Sequence, residues 1–283
     1  MKKLTDLWLD FFQSDRYKND WWDRKNALCE ERGIEISRIK GNGHVFQELR
    51  YDNKSTYHYL LHLSLLMKQK DQFYLEEQVL PFQFRLEKGN IIEHFQLKKP
   101  EPDQIKKNDT FSSNDYRDIQ ESRFSYDRLA AVRYAERWWN SYNPAYHKFE
   151  VDCTNYISQC LRAGGAPMWG APNRGRGWWY QQDNWSYSWA VAHSLRWYLS
   201  GSTRGLKGKE MQEASDLIPG DVICYDFEGD GRWNHNTIVV AKDAYGMPLV
   251  NAHTSNSRNR YWSYEDSTAY TPNIKYKFFR IGE

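Results

Sequence analysis

Apolar residues fall at helical spacing at the start of the chain, alternate from residue 34, and return to helical spacing after residue 125. Leu4, Leu7, Trp8, Phe11 and Phe12 make one apolar face, so residues 1–32 predict one or two helices. Ile34–Lys40, His44–Tyr51, Thr56–Lys68, Gln72–Leu86 and Asn90–Lys98 alternate or run apolar with β-favouring residues. Gly41-Asn42-Gly43, Asp52-Asn53, Lys70-Asp71 and Lys88-Gly89 punctuate them as turns. Short strands joined by polar turns predict an antiparallel meander, and helices on one face of it make a small α+β domain.

Residues 99–124 are polar, carry Pro100 and Pro102 and show no sustained periodicity, which predicts a linker. Tyr126–Tyr142 then predicts a helix, with Leu129, Val132, Ala135, Trp138 and Trp139 at helical spacing and Asn143-Pro144 ending it. A second helix starts at Asp152-Cys153 and repeats Tyr156, Ile157, Cys160 and Leu161 before Gly164-Gly165. Three strands follow, in the apolar run to Tyr225 after the Pro219-Gly220 turn, at Asn234–Val240 and at Met247–His253. The expected organisation is α+β throughout: an accessory domain over 1–100, a linker over 101–124 and a second domain over 125–283.

Composition narrows the function. The net charge of +2 disfavours a nucleic-acid binder driven by bulk charge. No apolar run reaches the roughly 18 residues of a membrane span. The N-terminus has acidic residues inside its apolar run, so it reads as a helix rather than a signal peptide, and a cytoplasmic location is expected. Four cysteines without a Cys-x-x-Cys pair fit a reducing compartment, and Cys160 and Cys224 read as small buried residues. Cys153 and Cys160 are too far apart for a structural zinc pair, so neither metal nor cofactor is expected. Asp226–Gly231 has an acidic calcium-loop opening but Thr237 at the twelfth position, so it reads as an acidic turn.

The chemistry concentrates at Cys153. A thiol in the first turn of a helix faces free backbone N–H groups and the positive end of the dipole, and both favour thiolate. Asp152 either faces the sulfur or caps the helix. A cysteine on a helix followed by a histidine on a strand, here His235, is the layout expected of a thiol hydrolase. Asn251 and His253, two apart on the next strand, compete to orient its imidazole. Trp178, Trp179 and Trp189 lie in a tryptophan-rich stretch that forms either a substrate wall or the packing of a long loop.

The run Asp152-Cys153-Thr154-Asn155-Tyr156-Ile157-Ser158-Gln159-Cys160-Leu161, then Gly220-Asp221-Val222-Ile223, Asn234-His235-Asn236-Thr237-Ile238-Val239 and Ala252-His253-Thr254, resembles the putative amidase domain family of Gram-positive bacteria. That family is related to the NlpC/P60 cell-wall peptidases of papain-like fold. The resemblance covers residues 125–283. It implies a papain-like domain with Cys153 as nucleophile, His235 as base and His253 as third polar residue. It also makes Tyr142, upstream of the cysteine, a candidate oxyanion donor. The expected activity is cysteine-dependent hydrolysis of peptide or amide bonds, with a peptide or peptidoglycan-derived substrate and self-association through the N-terminal domain. A catalytically inactive glycan- or peptide-binding protein and a thiol acyltransferase are the alternatives.

Overall fold

The computed structural model describes residues 2–13, 21–97 and 124–282. The expected linker over 101–124 lies outside the described residues, except for Phe124. The chain divides into two compact units. One is drawn from Met1–Lys98 together with Ser263–Tyr270, the other from Lys99–Trp262 together with Thr271–Glu283.

The first unit has helices α1 (Lys2–Gln13) and α2 (Trp21–Glu31) and an antiparallel sheet of β1 (Glu35–Tyr51), β2 (Lys54–Gln69), β3 (Gln72–Glu87) and β4 (Asn90–Gln96) in that order. Along β2, Tyr59, Leu61, Leu63, Leu65 and Met67 are buried with Leu4, Trp8 and Phe11 of α1 and Trp22 and Cys29 of α2. The residues between them point to the other face, as the two-residue period requires. Hairpin turns fall at Asp52, Lys70 and Lys88-Gly89, all with positive φ, where turn chemistry predicts them.

Gly41-Asn42-Gly43 is different. The expected turn is the middle of one 17-residue strand, in register with His62 and its neighbours on β2. Neither glycine adopts positive φ, and a Cβ on Gly41 or Gly43 would stand at ordinary contact distance from Leu61 or Tyr59. Pairing along the long β2 therefore overrides the turn preference of the tripeptide.

A polar chain crosses this core. Trp8 Nε1 donates to the Tyr59 hydroxyl at 2.9 Å, and that hydroxyl donates to His94 Nε2 at 2.7 Å. Burial holds the His94 pKa below its ordinary value. The unfolded chain thus binds the proton more readily, so the stability contributed by neutral His94 is present above about pH 6.5 and lost as pH falls through the folded-state value. The denaturation midpoint of this unit is expected to fall on acidification, and less steeply in His94→Gln. Parallel slopes for the two proteins would remove His94 from the account.

Segment Ser263–Tyr270 joins the first unit through charge. Lys25 Nζ donates to both Glu76 oxygens, at 2.6 and 2.7 Å, and to Asp266 Oδ2 at 3.1 Å. Arg32 pairs with Glu265 and donates to Ser263 Oγ at 3.1 Å. Burial lowers the Lys25 pKa, but the Asp266 and Glu76 carboxylates outweigh it and leave the ammonium above its usual value.

The second unit contains α3 (Arg128–Trp138), α4 (Cys153–Ala163), the two-residue strands β5 (Tyr180–Gln181) and β6 (Asn184–Trp185), α5 (Tyr187–Ala190), α6 (Ala192–Gly201) and β7 (Gly208–Met211). Then come β8 (Val222–Asp226), β9 (His235–Lys242), β10 (Pro248–Ala252), β11 (Ser257–Tyr261) and β12 (Lys275–Ile281). Its sheet runs β11-β10-β9-β8-β12-β7, antiparallel throughout. The α+β class expected from the sequence is the one observed.

Helix α4 is buried from Cys153 to Leu161. Its polar residues are satisfied, as burial demands. Ser158 Oγ accepts from Trp178 Nε1 and donates to the Trp189 carbonyl, and Gln159 Oε1 accepts from the Tyr134 hydroxyl. On the sheet face toward α4, Val222, Cys224, Ile238, Val240, Phe279 and Ile281 share one core with Tyr156, Ile157, Cys160 and Leu161.

Candidate active site

Cys153 is the first residue of α4, as the motif predicts, but it is only 2% exposed. The two backbone N–H groups at the helix start, of Asp152 and Cys153, donate to Thr254 Oγ1 at 3.1 and 3.2 Å. Thr254 follows β10 with φ of 70°, a left-handed conformation that is costly for a β-branched residue. That conformation accompanies a hydroxyl placed where a capping oxygen normally sits.

Asp152 makes no capping bond. Its Oδ1 accepts from Phe149 N at 3.0 Å and Asn155 Nδ2 at 2.9 Å, and its Oδ2 accepts from His253 Nδ1 at 2.7 Å. The other ring nitrogen of His253, Nε2, lies 2.7 Å from the carbonyl of Trp138, the last residue of α3. Both ring nitrogens of His253 thus lie within hydrogen-bond distance of an oxygen. The ring stacks on Tyr156 at 4.0 Å and meets the Tyr142 ring edge-on at 5.0 Å. His253 thereby ties the end of α3, the start of α4 and the end of β10 together.

Strand register sets His235 and Asn236 on opposite faces of the sheet. In the β8–β9 register, Cys224 pairs with Asn236 and Tyr225 with His235. Cys224 belongs to the α4 core, so the next pair, Tyr225 and His235, faces the other side of the sheet. There His235 packs against Tyr225 and Phe227, with ring centroids 5.6 and 6.0 Å away. Asn236 takes the α4 side instead, its Nδ2 donating to Thr154 Oγ1 at 3.0 Å.

Asn251 does not orient an imidazole. Its Nδ2 donates to Glu136 Oε1 at 2.8 Å and its Oδ1 accepts from Asn259 N at 2.8 Å. Tyr142 lies under the Lys148 ammonium, 4.1 Å from the ring centre, and burial raises its pKa.

The tryptophans expected as a substrate wall face inward. Trp178, Trp179 and Trp189 are buried, and their indole N–H groups donate to Ser158 Oγ, to the Asn173 and Arg176 carbonyls, and to Asn155 Oδ1. Large rings with a satisfied polar edge are core residues here. The open aromatic surface lies beside them. A cavity of about 560 Å³ is lined by Tyr146, His147, Lys148, Tyr180 and Asp183, and Trp185 stacks on His147 at 5.0 Å. His147 is linked to the start of α4, since its carbonyl accepts from Asn155 Nδ2 at 2.9 Å.

Burial pushes the Cys153 thiol up, and the nearby Asp152 charge acts the same way. The Thr154 hydroxyl, the Asn236 backbone N–H and the Thr254 hydroxyl act against it. Cys160 and Cys224 are raised by burial too. The helix-start argument for thiolate therefore competes with desolvation. Sequence reasoning gave Thr154, Thr254 and Asn236 no role, although all three stand inside the motif blocks. Among the described residues no cluster of His, Cys, Asp and Glu could hold a metal ion. None of the described helices is long and apolar enough to cross a membrane.

A thiol opening a buried helix, beside a carboxylate–imidazole pair on an α+β scaffold, sits in a domain of amidase type. The chain belongs to the putative amidase domain family, whose model matches residues 125–279. It is 50% identical over 269 residues to YhbB, an uncharacterized protein of Bacillus subtilis, covering 92% of this chain and 85% of the relative. A second uncharacterized protein of that organism, YjcM, is 31% identical over 143 residues, 47% of this chain and 32% of the relative. No solved structure matches the chain.

Proposed function

We propose that the chain is a thiol-dependent amide hydrolase acting on peptide or amide bonds of peptidoglycan, with Cys153 as nucleophile. The observation that carries this reading is Cys153 at the start of α4, with Asp152 holding His253 on the same side of the sheet. Cys153 sulfur adds to the amide carbonyl, the amine leaves with a proton, and water hydrolyses the thioester. His253 is the imidazole this geometry favours over His235. For proton transfer its Nε2 has to leave the Trp138 carbonyl. The cleft of Tyr146, His147 and Tyr180 offers ring faces, and Lys148 and Asp183 offer both charges, which suits a glycan-linked peptide.

Incubation with purified peptidoglycan, followed by mass spectrometry of the soluble fragments, tests the proposal. Wild type is expected to release fragments, and Cys153→Ala to lose about 10³-fold or more of that rate. Fragments released equally by both proteins would exclude a thiol mechanism. One observation favours a second reading, a binding protein without turnover. The sulfur is buried, and the Cys153 N–H, which an oxyanion would need, is given to Thr254. Peptidoglycan bound equally by wild type and Cys153→Ala, with no fragments from either, would select it.

A further inference from the structure

We propose that Asn236 is a positioning residue for the Cys153 sulfur, acting through Thr154: its amide donates to the Thr154 hydroxyl, which is thereby turned to donate to sulfur. The inference rests on Cys153 being the working thiol.

Three observations carry it. Thr154 Oγ1 lies 3.7 Å from Cys153 Sγ and accepts from Asn236 Nδ2 at 3.0 Å, and all three residues are buried. A hydroxyl has a single hydrogen. With Asn236 donating to the oxygen rather than competing for its hydrogen, that hydrogen is free to turn to the sulfur, and the chain N–H to O–H to S can run in one direction. Donors aligned this way stabilise an anion at the end of the chain. The opposite amide orientation would draw the Thr154 hydrogen to Asn236 Oδ1 and leave the hydroxyl accepting from S–H, which favours the neutral thiol.

The second observation is a cost. Asn236 Oδ1 is buried with no hydrogen-bond partner among the described residues. An unpaired buried acceptor is unfavourable. The same face of β9 otherwise carries Ile238 and Val240, which pack without such a penalty. An amide kept at this position is explained by what its other end does. The third observation is that the backbone N–H of Asn236 also favours the ionised sulfur, so main chain and side chain of one residue converge on Cys153.

Every group facing the sulfur enters the balance. Asp152 before it opposes ionisation, Thr254 after β10 assists it, and Cys224 faces it from β8, itself near Arg196. Asp152 is in turn hydrogen-bonded to His253. Of these groups, Thr154 is the one whose hydroxyl accepts from Asn236.

The test is titration of thiolate ultraviolet absorbance, taken as the difference between each protein and its Cys153→Ala counterpart, so that reagent access to the buried sulfur does not matter. Thr154→Val is expected to raise the Cys153 midpoint by about one pH unit, the size of one modest hydrogen bond. Thr154→Ser is expected to restore it. Asn236→Leu, or Asn236→Ala where the leucine does not fold, is expected to raise it similarly, and the double variant no further than Thr154→Val alone. A purely structural role would lower the melting temperature and leave the midpoint in place. An unchanged midpoint in Thr154→Val, or additive shifts in the double variant, overturns the proposal. Peptidoglycan cleavage separates the two readings: an active enzyme with a silent Thr154→Val refutes the relay alone, and a relay-shifted thiol in a protein without turnover refutes the hydrolase alone.

Discussion

Asp152→Ala is expected to lose about 3–5 kcal/mol of stability, because it leaves three buried hydrogen-bond partners unsatisfied, and to abolish amide cleavage. The carboxylate is 1% exposed and accepts three hydrogen bonds. Alanine would leave Nδ1 of the buried His253 ring without its hydrogen-bond partner. It would also free the amide of Asn155, which otherwise joins Asp152, the His147 carbonyl and Trp189 Nε1. The start of α4, the 144–149 loop and the end of β10 therefore loosen together. Asp152→Asn keeps the shape and part of the bonding, so its loss is expected to be smaller, about 1–3 kcal/mol. Urea denaturation followed by tryptophan fluorescence measures both, and a wild-type midpoint for Asp152→Ala would show that the pair is incidental.

The same site shows how far the sequence was legible. Helix α4 and its thiol were readable because apolar residues at a 3.6-residue period and a Gly-Gly stop agree with each other. The side of the sheet to which His235 points was not. Strand β9 is buried on both faces over His235–Val240, and Thr237-Ile238-Val239-Val240 offers apolar groups to either side. A two-residue period without a polar face carries no parity, and an offset of one residue exchanges His235 for Asn236 beside α4. His253 escaped this ambiguity of identity but not of role. Its partners, Asp152 and the Trp138 carbonyl, lie 101 and 115 residues away, and no local pattern records them. Trp178 and Trp189 raise a similar difficulty. Composition announces large rings, but only the positions of Ser158 and Asn155 on α4 decide that those rings turn inward.

Lys25→Met is expected to destabilise the first unit by about 3–5 kcal/mol, because it removes the ammonium that two buried carboxylates share. Glu76 and Asp266 both accept from the Lys25 ammonium, and Glu76 Oε1 also accepts from Gln78 Nε2 at 2.9 Å. Methionine fills much of the lysine stem, so lost packing contributes little and the unpaired charge dominates. Two comparisons separate these causes. Lys25→Met combined with Glu76→Leu is expected to recover most of the loss, since well-packed apolar residues replace a buried ion pair at little cost. Acidic buffer, which neutralises carboxylates, is expected to narrow the gap between Lys25→Met and wild type. The position of Asp266 adds a further consequence. Lys25 and Glu76 belong to the first hundred residues, but Asp266, Glu265 and Ser263 do not. A fragment of residues 1–100 is therefore expected to unfold at lower denaturant than the same unit in the full chain. Equal midpoints would show that Ser263–Tyr270 adds no stability to the unit it accompanies.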